Sequence, residues 1–413
     1  MRAAACVLAL LAPLLHAQTS KRLWVLKEPD QIAEYDAVTF APKRAVKVPP
    51  AALKAPRGLQ VNRKGEMLFT PIPNEPSQPE PKFWFWNGQS AIMLDRDLER
   101  RSSLKGPNVS VMETVPFPFL SLNGEYLFWF ANQSRKLQRE NLDLSTTTTF
   151  RAWTTDLDGG HREELAQFAF PECRCETGTC SETCPEASFW VPDDGVGDFF
   201  IITHWIPGQI GSVYQDSFLY QKAEGKWSKK KLPHALPRVL DAAAGGAAVI
   251  EAIPDPACCG WDNESNDQTS LLREGKSIVL FDERARYNNN NYDVSFFTSN
   301  AVLSPTLSDV AMTISSTGTA GAEIRLADEG QENPEESARI RKALTELPAV
   351  EVVSAADSVK RLAFLPHASL VGWLDDKDLL IVEDHLLVAF NVASGARRKS
   401  EIKIRDETHV FLR

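Results

Sequence analysis

Apolar residues in this chain come in short runs separated by corners of Gly, Pro, Asn and Asp, a spacing of strands and turns rather than of helices. The plainest case is the C-terminal stretch. Residues 379–384 and 386–390 are apolar runs joined by a tight polar corner, and a turn at 391–395 leads into an alternating basic strand at 396–404. A similar unit lies near the start: strands at 23–26, 32–36 and 44–48, with corners at 28–30 and 40–43. Between these ends the pattern recurs. Strands are predicted at 58–62, 66–70, 83–86 and 91–94; at 119–122, 125–130 and 150–155; at 189, 199–203, 217–220 and 227–232; at 238–243, 247–253, 270–272 and 277–281; and at 294–297, 309–314 and 322–326. One helix interrupts the series, where Asn333 caps an acidic first turn and Ile340, Ala343, Leu344 and Leu347 follow at helical spacing before Pro348.

A strand–corner–strand unit that repeats to both ends predicts a circular array. The fold expected is all-β, a β-propeller of seven four-stranded blades with one inserted helix. The first unit lacks an innermost strand and residues 409–413 form a spare one, so pairing of the N- and C-terminal strands is expected to close the ring and remove an open edge.

Composition narrows the setting. The chain has 413 residues, and 45 Lys and Arg against 55 Asp and Glu give a net charge of −10. Such a balance, without a long basic run, makes nucleic acid an unsuitable partner. The clusters at 229–231 and 397–399 fall on edge strands, where lysines commonly guard against edge pairing. Arg2 followed by an apolar stretch at 3–15 reads as a secretory signal peptide, 1–17, leaving 18–413 as a single propeller domain. An exported protein, periplasmic or extracellular, is therefore expected, with no transmembrane segment in the mature chain.

Residues 120–128 (Leu-Ser-Leu-Asn-Gly-Glu-Tyr-Leu-Phe) and 303–312 (Leu-Ser-Pro-Thr-Leu-Ser-Asp-Val-Ala-Met) resemble the Ser-Pro-Asp-Gly turn and apolar strand of TolB-like, WD40-like propellers. Residues 153–160, ending Asp-Leu-Asp-Gly-Gly, resemble a later hairpin of the same repeat. No copy is complete. The resemblance implies a propeller in an envelope or extracellular setting, serving as a binding platform, an assembly component or a companion of peptidases, and leaves the activity open.

Strand parity groups the long connections. Segments 71–81, 131–149, 170–187, 206–216, 254–269 and 284–293 are all expected on one rim, where rigid scaffolds carry function. The mature cysteines, Cys173, Cys175, Cys180, Cys184, Cys258 and Cys259, all lie on this rim. An even number in an exported chain implies disulfides rather than a zinc site, whose paired Cys-x2-Cys spacing is absent, and at least one of Cys258 and Cys259 is expected to reach the 173–184 loop. Each cross-link would contribute about 2 to 4 kcal/mol.

Next to that pair stand Trp261, Asp262, Asn263, Glu264, Asn266 and Asp267. An indole among carboxylates and amides suits a sugar, or calcium as a cofactor, although such loops ordinarily bond their own turns. His204 and Trp205, at a strand end on the same rim, complete the ligand-binding candidates. No nucleophile elbow, His-Glu-x-x-His, phosphate loop or dinucleotide fingerprint occurs. The leading expectation is a non-catalytic platform for a protein or glycan. The alternative is a hydrolase or lyase of extracellular polymers using Asp262, Glu264 and Asp267.

Overall fold

In this computed structural model the described residues are 21–27, 30–49, 59–69, 83–94, 109–113, 117–121, 124–138, 144–170, 173–175, 186–192, 199–206, 213–253, 268–287, 294–318, 333–356, 359–404 and 409–413. Their short apolar runs are realised as seven antiparallel sheets, six of four strands and one of six. In chain order, blade 1 holds β1 (Arg22–Lys27), β2 (Gln31–Asp36) and β3 (Pro42–Lys47). Blade 2 holds β4 (Gln60–Val61), β5 (Met67–Phe69), β6 (Trp84–Trp86) and β7 (Ala91–Met93). Blade 3 is the six-stranded one: β8 (Val109–Glu113), β9 (Phe117–Leu120), β10 (Leu127–Gln138), β11 (Leu144–Thr155), β12 (Glu163–Ala169) and β13 (Cys173–Cys175).

Blade 4 follows with β14 (Glu186–Trp190), β15 (Phe199–Ile206), β16 (Val213–Ala223) and β17 (Lys226–Lys231). In blade 5 are β18 (Arg238–Ala242), β19 (Ala248–Ile253), β20 (Gln268–Arg273) and β21 (Lys276–Asp282), then the short helix α1 (Glu283–Tyr287). Blade 6 has β22 (Phe296–Leu303), β23 (Asp309–Ser316), helix α2 (Pro334–Glu346), β24 (Ala349–Ser354) and β25 (Lys360–Pro366). Blade 7 has β26 (Ala368–Trp373), β27 (Asp378–Glu383), β28 (Leu386–Asn391) and β29 (Arg397–Lys403), and the chain ends in β30 (Val410–Leu412).

The ring closes as the pattern predicts. β30 pairs with β1 in the order β3-β2-β1-β30, so the last strand becomes the innermost strand of the first blade. Hydrogen bonds between Arg22 and Arg413 seal the seam in both directions, 2.5 and 2.8 Å. Seven apolar clusters fill the seams between consecutive blades. The seam between blades 7 and 1 buries Leu23, Val25, Leu380 and Leu387, so the two chain ends share one core.

The degenerate repeat has a physical basis in the turn joining the first two strands of a blade. Ser121 Oγ accepts the Tyr126 amide at 3.1 Å, and Ser304 Oγ accepts the Asp309 amide at 3.0 Å. In blade 2, Asn62 Oδ1 does the same for Glu66 at 3.0 Å, so one side-chain oxygen closes the turn in each case. Gly65 in that turn has φ +82°, and a Cβ there would lie 2.4 Å from the Trp24 ring, which leaves room for glycine only.

Two sequence readings are corrected. The stretch 131–149 is mostly not a loop: β10 and β11 continue in register from Leu127↔Thr155 to Gln138↔Leu144. Its run of polar β-branched threonines, 146–149, lacks an apolar run, yet β-branched residues favour strand. In blade 6 the third strand is β24, which pairs with β23, and not 322–326, which lies outside the described residues. The helix is thus inserted between the second and third strands of that blade. Asn333 Oδ1 caps α2, accepting from the Glu335 amide at 3.1 Å, while Ile340 and Leu344 sink into the seam of blades 5 and 6.

Candidate functional site

Antiparallel order fixes which connections share a rim. The turns from second to third strand, and from fourth strand to the next blade, leave the same side of the ring, so the ends flanking 70–82, 139–143, 171–185, 207–212, 254–267 and 288–293 lie together. Both helices stand on this rim. Tyr287 of α1 stacks on Phe296 at 3.9 Å, and Arg339 of α2 donates to the Tyr287 carbonyl, joining the two helices over blades 5 and 6.

Among the described residues, the largest structure on the rim is built from blade 3. Beyond the strands that belong to the ring, the β10–β11 hairpin carries β8 on one flank, paired with residues 133–137, and β13 on the other, paired with residues 144–146. The six residues 133–138 extend about 20 Å at strand rise. The result is a four-stranded arm in which Cys173 and Cys175 belong to an edge strand.

Beside the arm, β15 of blade 4 alternates between two seams. Phe200 and Ile202 face blade 3, whereas Phe199 and Ile201 face blade 5. Towards the rim each face ends on a polar residue. His204 continues the first face and lies among Phe168, Phe170 and Phe218, at centroid distances of 4.3, 5.2 and 5.1 Å. Its Nε2 is buried without a hydrogen bond, and burial, with Lys229 nearby, holds its pKa below 6.5 against the pull of Asp216. A bulge follows, and Trp205 pairs with Tyr214, the rings 6.4 Å apart.

The second face continues with Thr203, whose hydroxyl meets that of Ser217 at 2.7 Å; Ser217 Oγ also accepts the Leu236 amide at 2.8 Å. Opposite, on blade 5, the face of β19 that carries Val249 continues with Glu251, paired across the sheet with Ser270. Glu251 is 5% exposed and Ser270 1%, and the Ser270 hydroxyl has no partner. Burial pushes the Glu251 carboxyl up to about 7. Sequence reading missed Glu251 because it sits in the apolar run 247–253. The available signal was parity: a carboxylate two residues from an inward valine shares its face.

Of the predicted ligand residues, His204 and Trp205 are where they were expected, at the rim end of β15. Trp261, Asp262, Glu264 and Asp267 lie outside the described residues, as do Cys180, Cys184, Cys258 and Cys259. Among the described residues no group of three His, Cys, Asp or Glu converges as for a metal. Nor is any described helix long and apolar enough to cross a membrane.

The ring axis holds a cavity of about 410 Å³ between the inner strands. Its charged groups tie those strands together: Asp241 accepts the Ala242 and Leu303 amides at 2.8 and 2.7 Å, Lys21 donates to the Trp373 carbonyl at 2.8 Å, and Arg413 Nε donates to the Val61 carbonyl at 2.6 Å.

No protein-family model matches the chain, and no curated protein matches it in sequence. Among solved structures, dipeptidyl peptidase 4 of Porphyromonas gingivalis aligns over 94% of this chain and 59% of its own, at 9% identity and TM-score 0.35. This chain thus spans about three-fifths of that peptidase's length. AztD from Citrobacter koseri in its apo form aligns over 93% and 95% at 10% identity and TM-score 0.35. The WD40 domain of SCAP from fission yeast aligns over 94% and 88% at 8% identity and TM-score 0.31. At these values the likenesses carry no statement of activity. The class follows from the strand order and the closure: a seven-bladed β-propeller.

Proposed function

We propose that the protein is an exported, non-catalytic platform that binds a protein or glycan through its loop-bearing rim. The observation that carries this reading is the four-stranded arm raised from blade 3 beside His204 and Trp205. Extending strands beyond a ring that already closes costs chain entropy, and the ring closes without the arm, which supports reading the arm as a contact surface. Affinity capture from the native exported fraction tests it, with the mature protein and a variant whose residues 133–149 are replaced by an Asn-Gly turn. Loss of a stoichiometric partner in the shortened variant, with its melting temperature retained, supports the platform; equal capture by both overturns it.

One observation favours the second reading, a hydrolase or lyase of extracellular polymers. A carboxyl near 7 is in the range of a general acid, and Glu251 stands at the rim end of β19, which leads into the segment with Asp262, Glu264 and Asp267. Shortening of a captured polymer over time, abolished by Glu251→Gln, is the outcome that supports it.

A further inference from the structure

Blades 7 and 1 splay apart at their outer edges and leave a groove of about 1080 Å³ that runs from the turn at Thr39 and Phe40 to the rim end of β29. One wall is β29 from Arg398 onward with Ile404, residues 398–404 in unbroken succession; the other is Lys27, Tyr35 and the turn at Thr39 and Phe40. In a protein of net charge −10 this groove is basic. Lys27, Arg398 and Lys403 line it, and among the described residues none of the three has an ion-pair partner, whereas Lys399 is taken up by Glu383 at 3.5 Å and Asp384 at 3.8 Å. One carboxylate, Glu401, lines it too. Two of the cations rest on rings, Lys27 Nζ 4.9 Å from the Tyr35 centroid and the Arg398 guanidinium 5.4 Å from that of Phe40.

β29 is also the terminal strand of its sheet, in the order β26-β27-β28-β29, so its outer edge presents backbone donors and acceptors along the groove. An edge guarded by lysines against aggregation needs only charge towards solvent. Here the charge lines a groove, Lys27 and Arg398 are held over aromatic faces, and among the described residues Glu401 is the one carboxylate of the lining, with no ion pair to Lys27, Arg398 or Lys403. We propose that this groove docks an extended acidic polypeptide segment, which adds as a further strand on β29 with its carboxylates against Lys27, Arg398 and Lys403. A peptide fits better than an acidic glycan, because only a peptide uses the strand edge and the ring faces a sugar would stack on are already covered by cations. Seven residues of β29 match a partner of about six to seven residues at strand rise.

The test uses a fluorescein-labelled, end-blocked octapeptide of alternating Val and Glu, titrated against the mature protein by fluorescence anisotropy at low and moderate salt. The expected result is saturable, salt-sensitive binding that weakens at least about tenfold in R398Q/K403Q and less than about twofold in K226Q/K230Q, which removes as much charge from the lysine-rich edge strand β17. N-methylation of alternate peptide amides is expected to abolish binding. The proposal is overturned by absence of saturable binding, by equal loss in both variants, by equal binding of the N-methylated peptide, or by stronger competition from a polygalacturonate oligomer of matched charge.

Discussion

The two seams that flank blade 4 are made by alternate residues of the same strands, yet they are filled with different chemistry. Against blade 3 the filling is aromatic: Phe200 lies 5.7 Å from Phe128, 5.0 Å from Phe189 and 4.7 Å from Tyr220, and Phe150 stacks on Phe168 at 4.9 Å. Against blade 5 the apolar part is mostly aliphatic, with Ile201, Leu219, Leu236 and Val249, and at the rim it gives way to Thr203, Ser217, Glu251 and Ser270. Large rings tolerate a buried neutral imidazole at their margin, because His204 stays uncharged at neutral pH. A buried carboxyl has no such neutral form above about 7, so the second seam carries an electrostatic cost that the first avoids.

Four substitutions separate the seams, in decreasing order of effect. Phe200→Ala removes a fully buried ring at the centre of the aromatic seam and is expected to cost about 3–5 kcal/mol in denaturant titration. A loss under 1 kcal/mol would show that the seam repacks. Glu251→Leu acts in the opposite direction. A folded-state pKa raised from 4.5 to about 7 means that the native protein binds the proton more tightly, so stability falls as pH rises from about 4.5 through 7. The leucine variant is expected to gain about 1–3 kcal/mol at pH 8, little at pH 4.5, and to lose that pH slope. A loss at pH 8 would instead show that Glu251⁻ has a stabilising partner.

Thr203→Val severs the 2.7 Å bond to Ser217 while leaving that of the Leu236 amide, and is expected to cost about 1 kcal/mol. The smallest effect belongs to His204→Phe, less than about 1 kcal/mol at neutral pH. Its signature is the pH dependence: with the folded pKa below 6.5, wild-type stability falls as pH drops below 6.5, and the phenylalanine variant is expected to lack that acid-side loss in thermal melts. The two titrating residues therefore give slopes of opposite sign. Melting curves of both variants between pH 4.5 and 8 check them together.

Sequence by itself determined the ring. Short apolar runs bounded by turn residues set the strands of blades 1, 2, 4, 5 and 7, and the spare apolar segment that became β30 announced the closure, because a strand buried on both faces between neighbouring blades is apolar at consecutive positions. It placed His204 and Trp205 at a strand end for the same reason. The arm was not legible, since the segment 132–149 is mostly polar and carries no apolar run, and its partners β8 and β13 come from other segments of the chain. Nor was the third strand of blade 6, separated from the second by α2. Glu251 and the basic groove were decided by tertiary structure: which face of β19 meets blade 4, and how far blades 7 and 1 splay, depend on packing between residues far apart in sequence.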